Sequence, residues 1–224
     1  MLPVVWRVNK KANDVPIQHV QLDPRGESDG LHLGDIYRDV ELLEWTKESE
    51  DHRTIRSSTL VFPLAMVMGQ ECDLLTDSAL RANTRPTGRE RPPKANGFMW
   101  TTLVLPLYNA SQFFDRRDSC LSGIFEDVYL GTSAEPTSAS LEMNHPSSDS
   151  LVKANQDARY HFICFPSPGE LPDCVIDFRH YFALRTSYLM DHRAEQCLAT
   201  LSTPYREQVL QRFSFYISRI GLPD

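Results

Sequence analysis

Apolar and polar residues alternate with period two between Gly34 and Leu43, and Ile36, Val40 and Leu42 fall on one side of an extended chain. The pattern predicts a half-buried strand. From Thr59 to Met68 the alternation gives way to an apolar run, which predicts a strand covered on both faces. Pro63 inside that run has no amide donor, so a bulge or one unpaired side is expected there. Aromatic and β-branched enrichment predicts another strand over 98–108, and further strands are expected near 3–8, over 158–165 and over 174–184. Short edges are expected at 187–190 or 198–201. Residues 46–58, 76–97 and 131–150 read as loops, the second of them basic and proline-bearing.

Helical spacing is clearest at the C-terminal end. Tyr205, Val209, Phe213, Tyr216, Ile217 and Ile220 recur along one stripe over 204–220. Thr203 can cap this helix, Pro204 suits its first position, and Gly221 and Pro223 suit its end. Shorter helical stretches are expected near 110–116 and 120–128. Sequential strands without strand–helix–strand alternation predict an α+β, mostly β chain: an antiparallel sheet or small barrel with helices at one end. A single domain over 1–224 is expected, with a barrel core over about 30–184.

Composition narrows the function classes. The 224 residues carry a net charge of −7 with pI about 5.5, which argues against a broad basic footprint for nucleic acid but leaves room for a small basic cleft. No run of apolar residues is long enough to span a bilayer. The first residues lack a basic stretch followed by an apolar one, so no signal peptide is read. The cysteines at 72, 120, 164, 174 and 197 are odd in number and widely spaced, which fits free thiols in a reducing compartment. A cytoplasmic protein is expected.

Candidate chemistry gathers where the apolar run 59–68 stops, at Gln70, Glu71, Cys72 and Asp73. Strand ends present side chains from a rigid base. As a nucleophile Cys72 would need a base, and His161, His180 and His192 are the candidates. The competing reading makes Cys72 a small buried residue and Asp73 a turn former, with Gln70, Cys72 and Asp73 otherwise lining a binding cleft. His161, Cys164, Cys174 and His180 are of ligating type, but their spacing fits no usual zinc module, so neither metal nor cofactor is expected. Metal-free ribonuclease chemistry would need an arginine and an acid–base pair, which Arg53, Arg56, Asp35 and Glu71 could supply. The basic run 81–94 lacks interleaved aromatics, so no single-strand stacking platform is read within it. Phosphate-loop, dinucleotide and zinc-protease motifs are absent.

Gly34-Asp35-Ile36, Gln70-Glu71-Cys72-Asp73-Leu74, Leu103-Val104-Leu105-Pro106-Leu107 and the closing Pro204-Tyr205-Arg206-Glu207 to Arg219-Ile220-Gly221-Leu222-Pro223 resemble an uncharacterised bacterial family. At greater distance the order of these strands is similar to PemK/MazF-type toxins. That likeness implies an SH3-like barrel with loop insertions and a C-terminal helix, and it brings RNA in as a partner. Two functions are therefore expected. The first is an interaction protein of a toxin–antitoxin or phage-defence system, acting with a protein partner encoded nearby. The alternative is a metal-independent endoribonuclease using Arg53 or Arg56 with Glu71. No membrane partner is expected.

Overall fold

A computed structural model describes residues 20–23, 30–48, 55–83, 98–114, 149–166 and 171–219. Its largest feature is a six-stranded antiparallel sheet in the order β1-β9-β2-β3-β4-β8. The strands are β1 (Leu22–Asp23), β2 (Asp35–Glu48), β3 (Ile55–Met68), β4 (Thr101–Pro106), β8 (Phe182–Arg185) and β9 (Cys197–Leu201). A smaller sheet, in the order β5-β7-β6, holds β5 (Tyr108–Asn109), β6 (Tyr160–Ile163) and β7 (Cys174–Asp177). The mostly β, α+β class is as the periodicity predicts. The barrel is not: among the described residues the large sheet ends in two edge strands, β1 and β8, and does not close.

Chain entry into β2 is set by a turn. The Asp35 amide donates to the His32 carbonyl at 3.2 Å, and Gly34 between them has φ of 85°. A positive φ at the third residue of a four-residue turn is the type II geometry that glycine adopts without strain. Val40 then packs inward, with Leu42 half-buried beside the core, while Glu41 and Leu43 face water. The ladder with β3 pairs Arg38 with Leu64 and Val40 with Phe62, which sets Asp39 across from Pro63, and Asp39 takes φ of 51°. That pair is missing from the ladder, where proline has no donor to give. The register shift lies farther along, between Leu43 and Trp45.

Several boundaries differ from the sequence reading, each for a physical reason. Residues 46–48 and 55–58, expected in a loop, extend the β2–β3 ladder, because cross-strand hydrogen bonds carry polar residues as well as apolar ones. Residues 71–83, expected as a strand end and a loop, form helix α1 (Glu71–Asn83), with Glu71 and Asp73 in its first turn and Arg81 in its last, as the helix dipole favours. The stretch 174–184 breaks at Phe178 and Arg179 into β7 and β8, which belong to different sheets. Residues 187–190 lie in helix α4 (Thr186–Asp191), not in an edge strand, and β9 lies between β1 and β2. Helices α2 (Ala110–Phe114), α3 (Asp149–Lys153) and α5 (Arg193–Gln196) are short. The expected strand 3–8, helix 120–128, loop 131–148 and terminal Gly221 and Pro223 lie outside the described residues.

Helix α6 (Tyr205–Ile217) is the predicted C-terminal helix. Pro204 stands just outside its first turn, and Thr203 Oγ1 donates to Glu207 Oε1 at 3.1 Å instead of capping the backbone. Val209 and Phe213 are buried, and Phe213 meets Phe178 at 5.7 Å between ring centres. Each such side chain removed from water contributes about 1.5–3 kcal/mol. The main core also takes in Tyr37, Met66, Leu105 and Leu189. A second cluster around Val152, Phe162 and Val175 lies against the small sheet. No helix among the described residues is long and apolar enough to cross a membrane.

Candidate functional site

The start of α1 faces the turn that opens β2. Glu71 Oε1 lies 2.8 Å from His32 Nδ1, and Glu71 Oε2 accepts the Leu33 amide at 2.7 Å. Arg206, in the first turn of α6, brings Nη1 to 3.6 Å from the same Glu71 oxygen and donates through Nε to Glu207 at 3.2 Å. His32, Glu71 and Arg206 are each about a fifth to a quarter exposed (21%, 28% and 17%), so the group sits at the surface without being loose. Three segments far apart in sequence thus converge: Gly34-Asp35, Glu71-Cys72-Asp73 and Tyr205-Arg206-Glu207.

Directly beneath lies a buried ion pair. Asp35 is wholly buried, and its carboxylate accepts from Arg193 Nη1 at 2.7 Å, Thr200 Oγ1 at 2.6 Å and the His32 amide at 2.9 Å. Burial pushes the Asp35 carboxyl up from its ordinary range, and Arg193 and Thr200 pull it back. Arg193 Nη1 also reaches Cys197 Sγ at 3.1 Å. Tyr37, buried beside them, donates its hydroxyl to the Leu189 carbonyl at 3.0 Å, and its phenol is pushed far up by burial. Three donors on one carboxylate satisfy a charge that would otherwise be costly away from water.

Of the residues singled out in the sequence, Glu71 belongs to this cluster and Asp35 supports it. Gln70, just ahead of α1, and Cys72 and Asp73 on its first turn are exposed. The Cys72 thiol points outward, with Gln70 Oε1 at 3.8 Å and Asp73 Oδ1 at 3.7 Å. These are weak contacts with its own neighbours and do not make a nucleophile–base pair. Arg56 pairs with Lys47 near the far end of β3. At about 3.3 Å per residue, some 40 Å of strand separates its backbone from Met68, so the structure does not bring Arg56 to Glu71. Arg53 lies outside the described residues. His32 and Arg193 carried no sequence signal of their own, whereas Arg206 lies within the Pro204-Tyr205-Arg206-Glu207 segment without having been singled out for chemistry.

The histidines considered as bases or ligands are elsewhere. His161 is 6% exposed, its Nδ1 has no hydrogen-bond partner among the described residues, and burial, aided by Arg212, drives its pKa down to about 3. Arg212 in turn donates to the carbonyls of Asn155, Asp157 and Tyr160 at 2.5, 2.5 and 2.8 Å, fastening α6 to the small sheet. His180 Nδ1 meets the Tyr108 hydroxyl at 2.9 Å beside the Arg159–Asp177 ion pair. Cys164 faces the small cluster while Cys174 faces the main core, so the two do not converge. Among the described residues no group of three or more His, Cys, Asp or Glu side chains could hold a metal ion.

No protein-family model matches the chain, and no curated protein or solved structure matches it.

Chemically, the surface cluster can hold a proton between His32 and Glu71 beside a guanidinium. One cation stands against two carboxylates there, because Arg206 faces both Glu71 and Glu207. It equally fastens the β2 turn to α1 and α6.

Proposed function

We propose that the protein works by binding a partner protein, as an interaction component of a bacterial toxin–antitoxin or phage-defence system acting in the cytoplasm. The observation that supports this reading is the β2–β3 ribbon. Each strand runs for 14 residues, yet β9 pairs with β2 only at Asp35–Tyr37 and β4 pairs with β3 only at Ala65–Met68. Beyond those points the ribbon has no third strand among the described residues. A two-stranded ribbon is marginally stable alone in water, and its open edges accept an added strand. Leu43 and Val61 sit on its outer face, 57% and 55% exposed, and are diagonal neighbours because Leu43 pairs with Thr59. The bacterial setting rests on the resemblance of the Gly34-Asp35-Ile36 and Gln70-to-Leu74 segments, and the SH3-like architecture on strand order.

Co-expression with the products of flanking genes tests this. A flanking product is expected to co-purify with the parent chain and to bind the Leu43→Lys, Val61→Lys double variant at least tenfold more weakly. Equal binding to both, or no binding by any flanking product, overturns it.

A second reading, a metal-independent endoribonuclease of PemK/MazF type, is favoured by the His32–Glu71–Arg206 contacts. A base in this cluster would take the proton of a ribose 2′-hydroxyl as that oxygen bonds to phosphorus. The bond to the 5′ oxygen would break, and the departing oxygen would receive a proton, with Arg206 facing the negative charge that develops. The two carboxylates around the one guanidinium, which repel phosphate, rank this second. Induced expression with total RNA followed over time tests it: cleavage abolished by His32→Ala and Glu71→Gln is expected, and intact RNA overturns it.

A further inference from the structure

Trp100 is 81% exposed, an unusual position for the largest apolar side chain. It stands immediately before β4, and backbone contacts of its own and of its two chain neighbours fix its surroundings. Its carbonyl accepts the Thr186 amide at 3.1 Å. The next residue, Thr101, pairs with Arg185, which is exposed. The preceding residue, Met99, receives Arg81 Nη2 on its carbonyl at 2.8 Å and gives its amide to Asp77 at 2.8 Å. The Arg81 guanidinium lies over the Phe98 ring, 5.3 Å from its centre. Arg81 thus reaches the chain just before Trp100, Arg185 lies across the ladder from the residue that follows it, and a second aromatic ring stands two residues away.

We infer that Trp100, together with the neighbouring Phe98, Arg81 and Arg185, forms a docking point for single-stranded nucleic acid, the indole stacking on a base and the arginines meeting phosphate. Every base has a face that stacks on an indole, and stacking combined with guanidinium contacts is how sequence-tolerant single-strand binders work. Charge supports this occupant. The chain as a whole carries −7, yet the sequence joining Asn83 to Phe98 holds Arg85, Arg89, Arg91 and Lys94 against Glu90 alone. Asp77, which offsets Arg81, is 1% exposed and so presents its charge inward. The basic run lacks aromatics of its own; Phe98 and Trp100, just ahead of β4, supply them. This inference is independent of both the partner ribbon and the His32 cluster.

The test uses the full chain and fluorescein-labelled twelve-residue oligo-dT and oligo-U, read by anisotropy, with polyglutamate and a DNA duplex as competitors. Trp100→Ala is expected to weaken binding to the single strand by about five- to a hundredfold. Arg185→Gln is expected to lower the salt dependence by about 0.7 in log–log slope, as loss of one single-strand phosphate contact does. Both side chains are exposed, so circular dichroism should match the parent. A preference for the RNA or the DNA oligomer supports the site and names its source. Absence of binding to both oligomers overturns it, as does binding unchanged by Trp100→Ala. Competition by polyglutamate at equal charge overturns it in favour of an acidic protein partner.

Discussion

Gly34 and Arg206 approach so closely that a Cβ built on the glycine would lie 2.9 Å from the Arg206 Cβ. Leu201 crowds the same point, with its Cβ at 3.2 Å. Gly34 is therefore required twice, once for its φ of 85° and once for contact with α6. Gly34→Ala is expected to destabilise the protein by about 1–3 kcal/mol, since the strained backbone alone costs about 1 kcal/mol or more. Urea denaturation followed by circular dichroism measures it, and an unchanged midpoint would show that the turn and α6 move apart freely.

Glu71 bonds the Leu33 amide and His32 together, so Glu71→Ala leaves a half-buried amide without its acceptor. A loss of about 1–3 kcal/mol is expected. Hydrogen exchange should localise it: faster exchange at Leu33 and in the first turn of α1, with the β3–β4 ladder unaffected. Uniform acceleration across the large sheet would mean that Glu71 supports the whole domain.

The parts of the fold that repeat a period were readable in the sequence. Val40 and Leu42 turn toward the core as alternation predicts, and Val209 and Phe213 are buried on one stripe of α6. Helix α1 was hidden because its inward face is partly polar: Asp77 is 1% exposed, yet it is spent on Arg81 and the Met99 amide. An apolar period cannot reveal a face built from a carboxylate. The candidate site was half visible for a different reason. Glu71 and Asp35 lie in recognisable short segments, but their partners are 39 residues away at His32 and 158 away at Arg193. Nothing local marks those partners.

Cys72 is exposed on α1, whereas Cys164, Cys174 and Cys197 are buried. Burial pushes the Cys164 thiol up to about 11 and the Cys174 thiol up to about 12, which disfavours their reactive thiolates further. Brief treatment of the native protein with iodoacetamide, followed by peptide mapping, should label Cys72 well ahead of those three. Comparable labelling of Cys174 would mean that β7 opens readily.

His161 gives the fold an acid weakness. In the folded protein it stays neutral down to about pH 3, whereas the unfolded imidazole protonates near its ordinary 6.5. Between those values the unfolded chain binds more protons, so this group costs nothing above 6.5 and reduces stability as pH falls toward 3. The slope is about 1.4 kcal/mol per pH unit, or roughly 2 kcal/mol lost between pH 6.5 and 5. His161→Phe, placed against Phe178, is expected to flatten that part of the stability curve. An equally steep fall in the variant would assign the weakness to other groups.

The Asp35–Arg193 pair separates a structural role from a functional one. Asp35→Ala leaves the Arg193 guanidinium without its carboxylate beside Tyr37 and Cys197, and breaking one side of such a buried pair costs about 3–5 kcal/mol. Replacing both partners, as in Asp35→Leu with Arg193→Met, removes both charges at once and is expected to restore most of that loss, because well-packed apolar residues often match a buried ion pair. The Thr200 hydroxyl and the His32 amide then both lack their acceptor, so up to about 2 kcal/mol should remain missing. Partner binding and RNA integrity measured on the double variant give the decisive comparison. If stability returns and both readouts match the parent, the pair serves only to hold the His32 turn in place. If stability returns while one readout is lost, the charges beneath His32 and Glu71 take part in that function, since the fold above them is intact.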